Sequence, residues 1–197
     1  SGQAISDSVL VVLGDGWRAC VPSADGATIA LQPGVIGAAA NRRLAPYARK
    51  IGPDPASIDA AMIGGIAANN ASGMCCGTAQ NSYRTLAGIR VVLADGTVVD
   101  TRDAGSRAAF MASHRAFVDA LDALARATRD DAALAARIRH KFRMKNTTGY
   151  SLNALVDFTD PVDILAHLMI GSEGTLGFIS EITYRTVPEH PHKATEL

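Results

Sequence analysis

The sequence has few aromatic residues, few cysteines and no excess of charge of either sign. Its 197 residues include 19 Lys and Arg and 19 Asp and Glu, so the formal net charge is zero. A balanced charge gives no general attraction toward nucleic acid or an anionic membrane surface. No apolar run reaches the roughly 18 residues that a membrane-spanning helix requires. We therefore expect neither a nucleic-acid partner nor a transmembrane segment.

Cysteine and histidine are also too sparse to form a scaffold or a metal centre. The cysteines are Cys20, Cys75 and Cys76, an odd number with two neighbours, so a disulfide framework is not expected. A reducing compartment, the cytoplasm, is the simpler interpretation. His190 and His192 lie close in sequence but have no third ligand nearby, so we predict no metal site.

The first quarter of the chain has the pattern of short antiparallel strands followed by a helix. Residues 8–13, 17–21 and 27–32 are rich in β-forming side chains and are separated by Gly- and Asp-containing turn signals. An apolar stripe at helical spacing covers residues 35–50. The helix should stop before the rigid turn at residues 52–55, which contains two prolines.

The remainder predicts further antiparallel strands and several helices. A hairpin is expected around Asp95-Gly96, because β-rich segments flank that turn. The order of elements lacks the regular strand-helix alternation of a doubly wound parallel sheet. We therefore predict an α+β fold with an antiparallel sheet flanked by helices. The expected elements are the strands 89–93 and 97–101, one or two amphipathic helices in 106–142, a short helix from Leu152, a helix over 161–171 and a long strand over 176–187.

Two glycine-rich runs, residues 62–78 and 171–177, are the strongest functional signal. Glycine permits positive φ and close backbone approach, so its N–H groups can reach phosphate oxygens that a Cβ would block. A short helix beginning at Gly64-Gly65 would direct free N–H groups toward a pyrophosphate. The alternative is a tightly packed loop in which small residues merely fit. The functional interpretation predicts a dinucleotide cofactor.

A third glycine motif does not support a Rossmann fold. The segment Gly14-Asp-Gly16-Trp-Arg-Ala19 formally satisfies the relaxed dinucleotide fingerprint. It is followed by Cys20-Val21-Pro22 rather than by a helix, so a simple turn is the better interpretation.

Five motifs, taken in order, resemble the FAD-linked oxidases of the vanillyl-alcohol oxidase type, whose cofactor lies in a PCMH-type FAD-binding domain. The resemblance is strongest to the D-lactate and D-2-hydroxyglutarate dehydrogenase branch, and it covers almost the whole chain. The motifs are Gly52-Pro-Asp-Pro-Ala-Ser57, Ile63-Gly-Gly-Ile-Ala-Ala-Asn69 with Ala71-Ser-Gly73, Val91-Val-Leu-Ala-Asp-Gly-Thr97, Lys145-Asn-Thr-Thr-Gly-Tyr150 and Gly171-Ser-Glu-Gly-Thr-Leu-Gly-Phe-Ile179.

This resemblance implies that the chain is a fragment of a larger enzyme. Residues 1–187 would be the second subdomain of an FAD-binding domain whose first half is missing, and residues 188–197 a linker toward an absent substrate domain. Ser1-Gly2-Gln3 resembles the tail of the family's first pyrophosphate loop. An iron–sulfur cluster is possible outside this chain. Alone, the chain is expected to be inactive and to bind FAD with micromolar or weaker affinity, because half of the contacts to the cofactor would be missing.

The resemblance also assigns cofactor-binding residues by position. The 53–57 turn and the glycine pair would line the isoalloxazine and pyrophosphate, the segment after the helix would add polar contacts, and the second glycine run would hold the adenine side. Lys145 and Asn146 are candidates for touching substrate or flavin, although a solvated lysine is the alternative; other catalytic residues are unknown. The implied FAD-binding residues are Pro53, Asp54, Pro55, Ser57, Ile63, Gly64, Gly65, Asn69, Ser72, Gly73, Gly77, Glu173, Gly174, Gly177, Phe178 and Ile179.

The implied activity is flavin-dependent oxidation of a D-2-hydroxy acid, of the D-lactate or D-2-hydroxyglutarate type, to the 2-oxo acid. Its partners would be the small hydroxy acid and an electron acceptor. The full-length protein would be cytoplasmic or peripheral to the inner membrane. A non-catalytic flavin-binding or interaction module of the same fold is the alternative, and flavin reductases acting on nucleotide sugars are more distant. The particular hydroxy acid, the acceptor, the oligomeric state and covalent flavin attachment stay open.

Overall fold

The strands of the computed structural model, which describes residues 12–191, form one antiparallel sheet. They are β1 (Cys20–Pro22), β2 (Thr28–Leu31), β3 (Arg49–Ile51), β4 (Leu86–Val92), β5 (Val98–Asp100) and β6 (Phe178–Pro188). The order across the sheet is β1-β2-β6-β4-β5, and β3 pairs with the C-terminal end of β6. The predicted α+β class is confirmed.

Eight helices flank this sheet within the described residues. They are α1 (Gly37–Leu44), α2 (Ile63–Asn69), α3 (Ser82–Thr85), α4 (Ala104–Ser113), α5 (Arg115–Asp130), α6 (Ala132–Lys141), α7 (Ala154–Asp157) and α8 (Pro161–Met169). None of the helices found between residues 12 and 191 has both the length and the apolarity needed to cross a bilayer.

Strand β6 holds the two halves of the chain together. It pairs with β2 on one side and β4 on the other, so Ile182 lies opposite both Leu31 and Ile89. All three side chains are buried in the main hydrophobic core. Tyr184 is also fully buried, and its hydroxyl is 2.8 Å from Ser82 Oγ, which satisfies both polar groups.

The N-terminal strands differ from the prediction. Residues 8–11 lie outside the described part of the chain, and Trp17 belongs to a 3-10 turn (Asp15–Trp17) rather than to a strand. The Trp17 N–H donates to the Gly14 carbonyl, and the Trp17 carbonyl accepts from Gly34. The predicted hairpin is confirmed only from Cys20 onward, where β1 pairs with β2.

The predicted helix over residues 35–50 is too long. It ends at Leu44, because Pro46 follows in a 3-10 turn (Ala45–Tyr47) and lacks the N–H that a continuing helix would use. Ala48 then adopts a left-handed conformation with φ 51°, which reverses the chain. Arg49 begins β3, so the last two residues of the predicted helix belong to a strand.

Residues 106–142 also form more helices than predicted, since three helices replace one or two. Aspartates mark two of the boundaries: the Asp103 carboxylate accepts from the Ser106 N–H, and the Asp131 carboxylate accepts from the Leu134 N–H. Such caps satisfy backbone donors at a new helix start.

At the C-terminal end of the chain, β6 includes Pro188, one residue beyond the predicted strand. Residues 192–197 of the predicted linker lie outside the described residues.

Candidate cofactor site

The two glycine-rich runs meet at one cleft, which we call the glycine cleft. It lies between α2 and the turn formed by residues 172–178, and its volume is about 590 Å³. That volume is within the range of small-molecule sites. The lining residues are Val12, Leu13, Pro33, Ala60, Met62, Gly64, Gly65, Ala68, Glu173, Gly174, Gly177, Phe178 and Ile179.

The second glycine run is fastened to the C-terminal end of α2 by main-chain hydrogen bonds. The Gly171 N–H donates to the Ala67 carbonyl at 3.1 Å, and the Glu173 N–H donates to the Ala68 carbonyl at 2.8 Å. These bonds satisfy carbonyls that a helix end leaves without partners. Asn69 also donates from its amide to the Glu173 carboxylate. The sequence runs are about a hundred residues apart, but one set of hydrogen bonds joins them.

The first glycine run uses its helix start differently from the prediction. The Ile63 N–H donates to the Val35 carbonyl at 2.8 Å, and the Gly64 N–H donates to the Pro33 carbonyl at 2.9 Å. Of the predicted glycine pair, the Gly64 amide is therefore not free for a pyrophosphate, and a contact of the Gly65 amide with one stays a prediction. Gly64 serves close packing instead, because a Cβ there would lie 2.7 Å from Pro33 Cβ. The Ile63 side chain is fully buried in the core.

The wall formed by residues 172–178 has features that fit an elongated cofactor with polar and aromatic parts. Ser172 itself does not line the cleft: it is buried, and its hydroxyl has no hydrogen-bond partner within residues 12–191. Gly174 has φ 79° and leaves open space where a side chain would stand. Phe178 is held edge-on by Trp17, with ring centroids 5.3 Å apart, and supplies an apolar surface.

The other predicted cofactor residues gather in a second place beside the helix. The turn at residues 53–57 packs against the loop at 72–77, where Gly73 lies so close to the Asp54 carbonyl that a Cβ would overlap it. The members of this group do not line the glycine cleft. They are Pro53, Asp54, Pro55, Ser57, Ser72, Gly73 and Gly77, of which the two prolines and Ser72 are buried.

The candidates Lys145 and Asn146 also lie away from the glycine cleft. The Lys145 ammonium donates to the Ser72 carbonyl, so it ties its own loop to the 72–77 loop. Asn146 lines a small cavity of about 20 Å³ together with Asn70 and Asn153. A contact of Lys145 or Asn146 with substrate or flavin stays a prediction.

Several cleft residues were not predicted from the sequence. Pro33, Ala60, Met62 and Ala68 line the cleft beside the predicted glycines. Met62 offered a signal in the sequence, because it is a large apolar residue at the edge of a glycine run. In the fold its side chain is 39% exposed. Pro33 offered none, since Pro33-Gly34 has the pattern of an ordinary turn after a strand.

The chain is thus an α+β domain with a cleft of small-molecule size between its two glycine-rich runs. A family model described as "FAD binding domain" matches residues 1–102, which is more than half of the chain. The chain belongs to this family of FAD binding domains, and the resemblance to FAD-linked oxidases with a PCMH-type domain is confirmed at that level.

Solved structures give a more distant likeness. Two crystal forms of alkyldihydroxyacetonephosphate synthase superpose with TM-scores of 0.48 and 0.47, at 16% and 17% sequence identity. The superpositions cover 87% and 86% of this chain but 22% and 21% of the synthase. The chain thus spans about a fifth of the length of these proteins. No curated protein sequence matches it significantly.

Proposed function

We propose that the chain is the FAD-binding part of a flavin-dependent dehydrogenase that oxidises a D-2-hydroxy acid to the 2-oxo acid. The glycine cleft carries the FAD assignment, because it unites the two glycine runs in one cavity inside a fold of the FAD-binding family. The substrate class is supported by the order of the five motifs, which resembles the D-lactate and D-2-hydroxyglutarate dehydrogenase branch.

In this proposal the dinucleotide part of FAD lies along the glycine cleft. Gly65 and Gly174 would let it approach the main chain, and Phe178 with Ile179 would contact an apolar ring. The Pro53-Asp54-Pro55 turn and the 72–77 loop would contact the flavin ring further along α2. Two buried prolines suit that role because their backbone is rigid before the ligand arrives.

A bound FAD supplies the acceptor for the hydride that leaves the α-carbon of the hydroxy acid. The residues of this chain hold and orient that acceptor. Lys145 acts through Ser72: its ammonium fixes the carbonyl of Ser72, and so the position of the loop that packs against Asp54. We therefore assign Lys145 as a positioning residue.

Trp17 makes the FAD assignment directly testable, because it is the single tryptophan and its ring contacts Phe178 in the cleft wall. FAD titrated into the purified chain should quench Trp17 fluorescence to saturation, with a Kd of about 1 µM or weaker. A Trp17→Phe variant should lose the signal. Absence of saturable quenching together with absence of retained flavin would contradict FAD binding by this chain.

A matched pair of alanine substitutions locates the cofactor. Ala68→Phe places a ring in the glycine cleft and should weaken FAD binding by about tenfold or more. Ala136→Phe makes the same change at an exposed position of α6 and should leave binding unchanged. Equal affinities for the two variants would place FAD elsewhere.

The substrate class requires the full-length protein, assayed with an artificial electron acceptor. D-lactate or D-2-hydroxyglutarate should reduce the acceptor, and the L-enantiomers should not. Flavin binding without turnover of any 2-hydroxy acid would overturn the dehydrogenase assignment and favour the non-catalytic module.

A further inference from the structure

We propose that a second cleft, formed between α3, α6 and α7, binds a small hydroxycarboxylate. We call it the arginine cleft; it has a volume of about 420 Å³. Its lining residues include Arg84, Arg139, Arg143, Asn153 and Asp157, and it shares none with the glycine cleft. The proposal does not rest on the proposed function.

The first support is an excess of positive charge. Three arginines face one carboxylate, so the lining carries a net charge of plus two. Arg139 lies in the last turn of α6, and Arg143 lies in the turn that follows this helix. Within residues 12–191, Arg139 makes no ion pair or hydrogen bond through its side chain, while Arg143 contacts the His140 ring at 3.3 Å.

The single carboxylate does not neutralise this charge. Asp157 accepts from the Tyr83 hydroxyl at 2.9 Å and from the Asn153 amide at 3.2 Å. Its ion pair with Arg84 is long, at 3.9 Å. Guanidinium groups with unused donors form paired hydrogen bonds with carboxylates, whose two oxygens match their planar fork. The charge therefore favours an anionic ligand, and a carboxylate has the pair of oxygens that fits the guanidinium fork.

The second support is a buried acceptor that lacks a partner. Asn153 is 5% exposed, and its Oδ1 receives no hydrogen bond from the described residues. Its Nδ2 donates to Asp157, which fixes the amide so that the oxygen remains the unsatisfied atom. An acceptor in that position needs a donor, and a carboxylate has none. A hydroxyl on the same ligand would supply it.

A trapped water is the competing explanation for Asn153. The side chain also borders the 20 Å³ cavity beside Asn70 and Asn146, which has room for about one water molecule. Water would satisfy Oδ1 but would leave the arginine charges without a counterion. The two explanations differ in one observable, because only a ligand that reaches Asn153 makes affinity depend on its hydroxyl.

The test compares malate with succinate, which differ by that hydroxyl, by calorimetric titration of the purified 197-residue chain. Malate should bind saturably and at least about fivefold more tightly than succinate. Trp17 fluorescence should not change at saturation, because Trp17 contacts the other cleft. Equal affinities for the two acids, or no malate binding up to about 10 mM, would overturn the proposal.

Variants assign the binding to the cleft. Arg139→Gln with Arg143→Gln should weaken malate binding by about tenfold, since both guanidiniums are exposed and carry no structural ion pair among the described residues. Arg137→Gln, on the same helix but outside this cleft, should change affinity less than twofold. If the double variant and Arg137→Gln weaken malate binding equally, the assignment to this cleft is overturned. Asn153→Leu, if its circular dichroism is native, should bind malate and succinate alike; a retained preference would also overturn it.

Discussion

The glycine cleft and the arginine cleft are built from different parts of the chain. The first is shaped by main chain: glycines, left-handed turns and the hydrogen bonds that fasten the second glycine run onto α2. The second is shaped by long side chains from α3, from the end of α6 and from the turn that follows α6. The shape of the glycine cleft is therefore inseparable from the fold, whereas the arginine cleft can lose its charges while the backbone stays the same.

The largest expected loss of stability comes from substituting a glycine that is packed against a main-chain carbonyl. Gly177→Ala would bring a Cβ to 2.9 Å from the Val92 carbonyl, next to the Val92–Phe178 pair that ends the pairing of β4 with β6. Neither strand can move without disturbing the sheet, so we expect a loss of about 3 kcal/mol in the free energy of unfolding. The measurement is a urea unfolding curve.

Gly174→Ala is the matched control in the same wall. No atom lies within 4 Å of the added Cβ, and only the φ of 79° opposes it. The expected loss is about 1 kcal/mol, from backbone strain alone. If the two alanines destabilise equally, contact with β4 does not set the shape of this wall.

Substitution of Lys145 tests whether its side chain holds two loops together or contacts a ligand. Lys145→Met removes the donor to the Ser72 carbonyl and should lower the free energy of unfolding by about 1 kcal/mol. Lys141→Met, at an exposed lysine, should cost about half as much or less. An unchanged stability with strongly weakened FAD binding would instead support direct contact with the flavin.

The sequence predicted the parts of the molecule that depend on local chemistry. Asp95-Gly96 correctly located the β4–β5 hairpin, and the second glycine run correctly preceded the long strand β6. The residues that differ depend on tertiary partners. Trp17 was predicted to begin a strand, but it lies in a turn where its ring contacts Phe178. Arg49 was predicted to lie in a helix, but it pairs with β6.

The same distinction applies to the two clefts. The glycine cleft was partly predictable because glycine has one physical use at such positions, to admit close contact or positive φ. That reasoning did not reveal that the partner of Gly64 is Pro33 rather than a ligand. The arginine cleft left no motif, since Arg84, Arg139 and Asn153 come from separate segments and each is individually ordinary for a helix surface or end.

Charge removal in the arginine cleft should have a much smaller effect on stability. Arg139→Gln with Arg143→Gln should change the free energy of unfolding by no more than about 0.5 kcal/mol, because both side chains are exposed and unpaired with carboxylates in residues 12–191. Urea unfolding of this variant beside Gly177→Ala tests the contrast between the clefts directly. A loss as large as that of Gly177→Ala would show that the arginines support the fold.

The pH dependence of stability should come from the side of the molecule that carries the arginine cleft. His167 is stacked on Phe158 and lies edge-on to Tyr83, and its Nδ1 is 2.8 Å from the Asp163 carbonyl. Burial lowers the pKa of His167, and Arg185 adds to the effect, while Asp163 and Asp157 oppose it.

A histidine with a lowered pKa in the folded state takes up its proton more readily when the chain is unfolded. Its stabilising contribution is complete above the unfolded pKa of about 6.5 and is lost as the pH falls below that value. The free energy of unfolding should therefore decrease between pH 7.5 and 5.5 by more in the native sequence than in His167→Phe, which keeps a ring between Phe158 and Tyr83 but cannot titrate. Urea midpoints at the two pH values measure the difference. Parallel losses would show that His167 is not responsible and that the pH dependence arises elsewhere in the molecule.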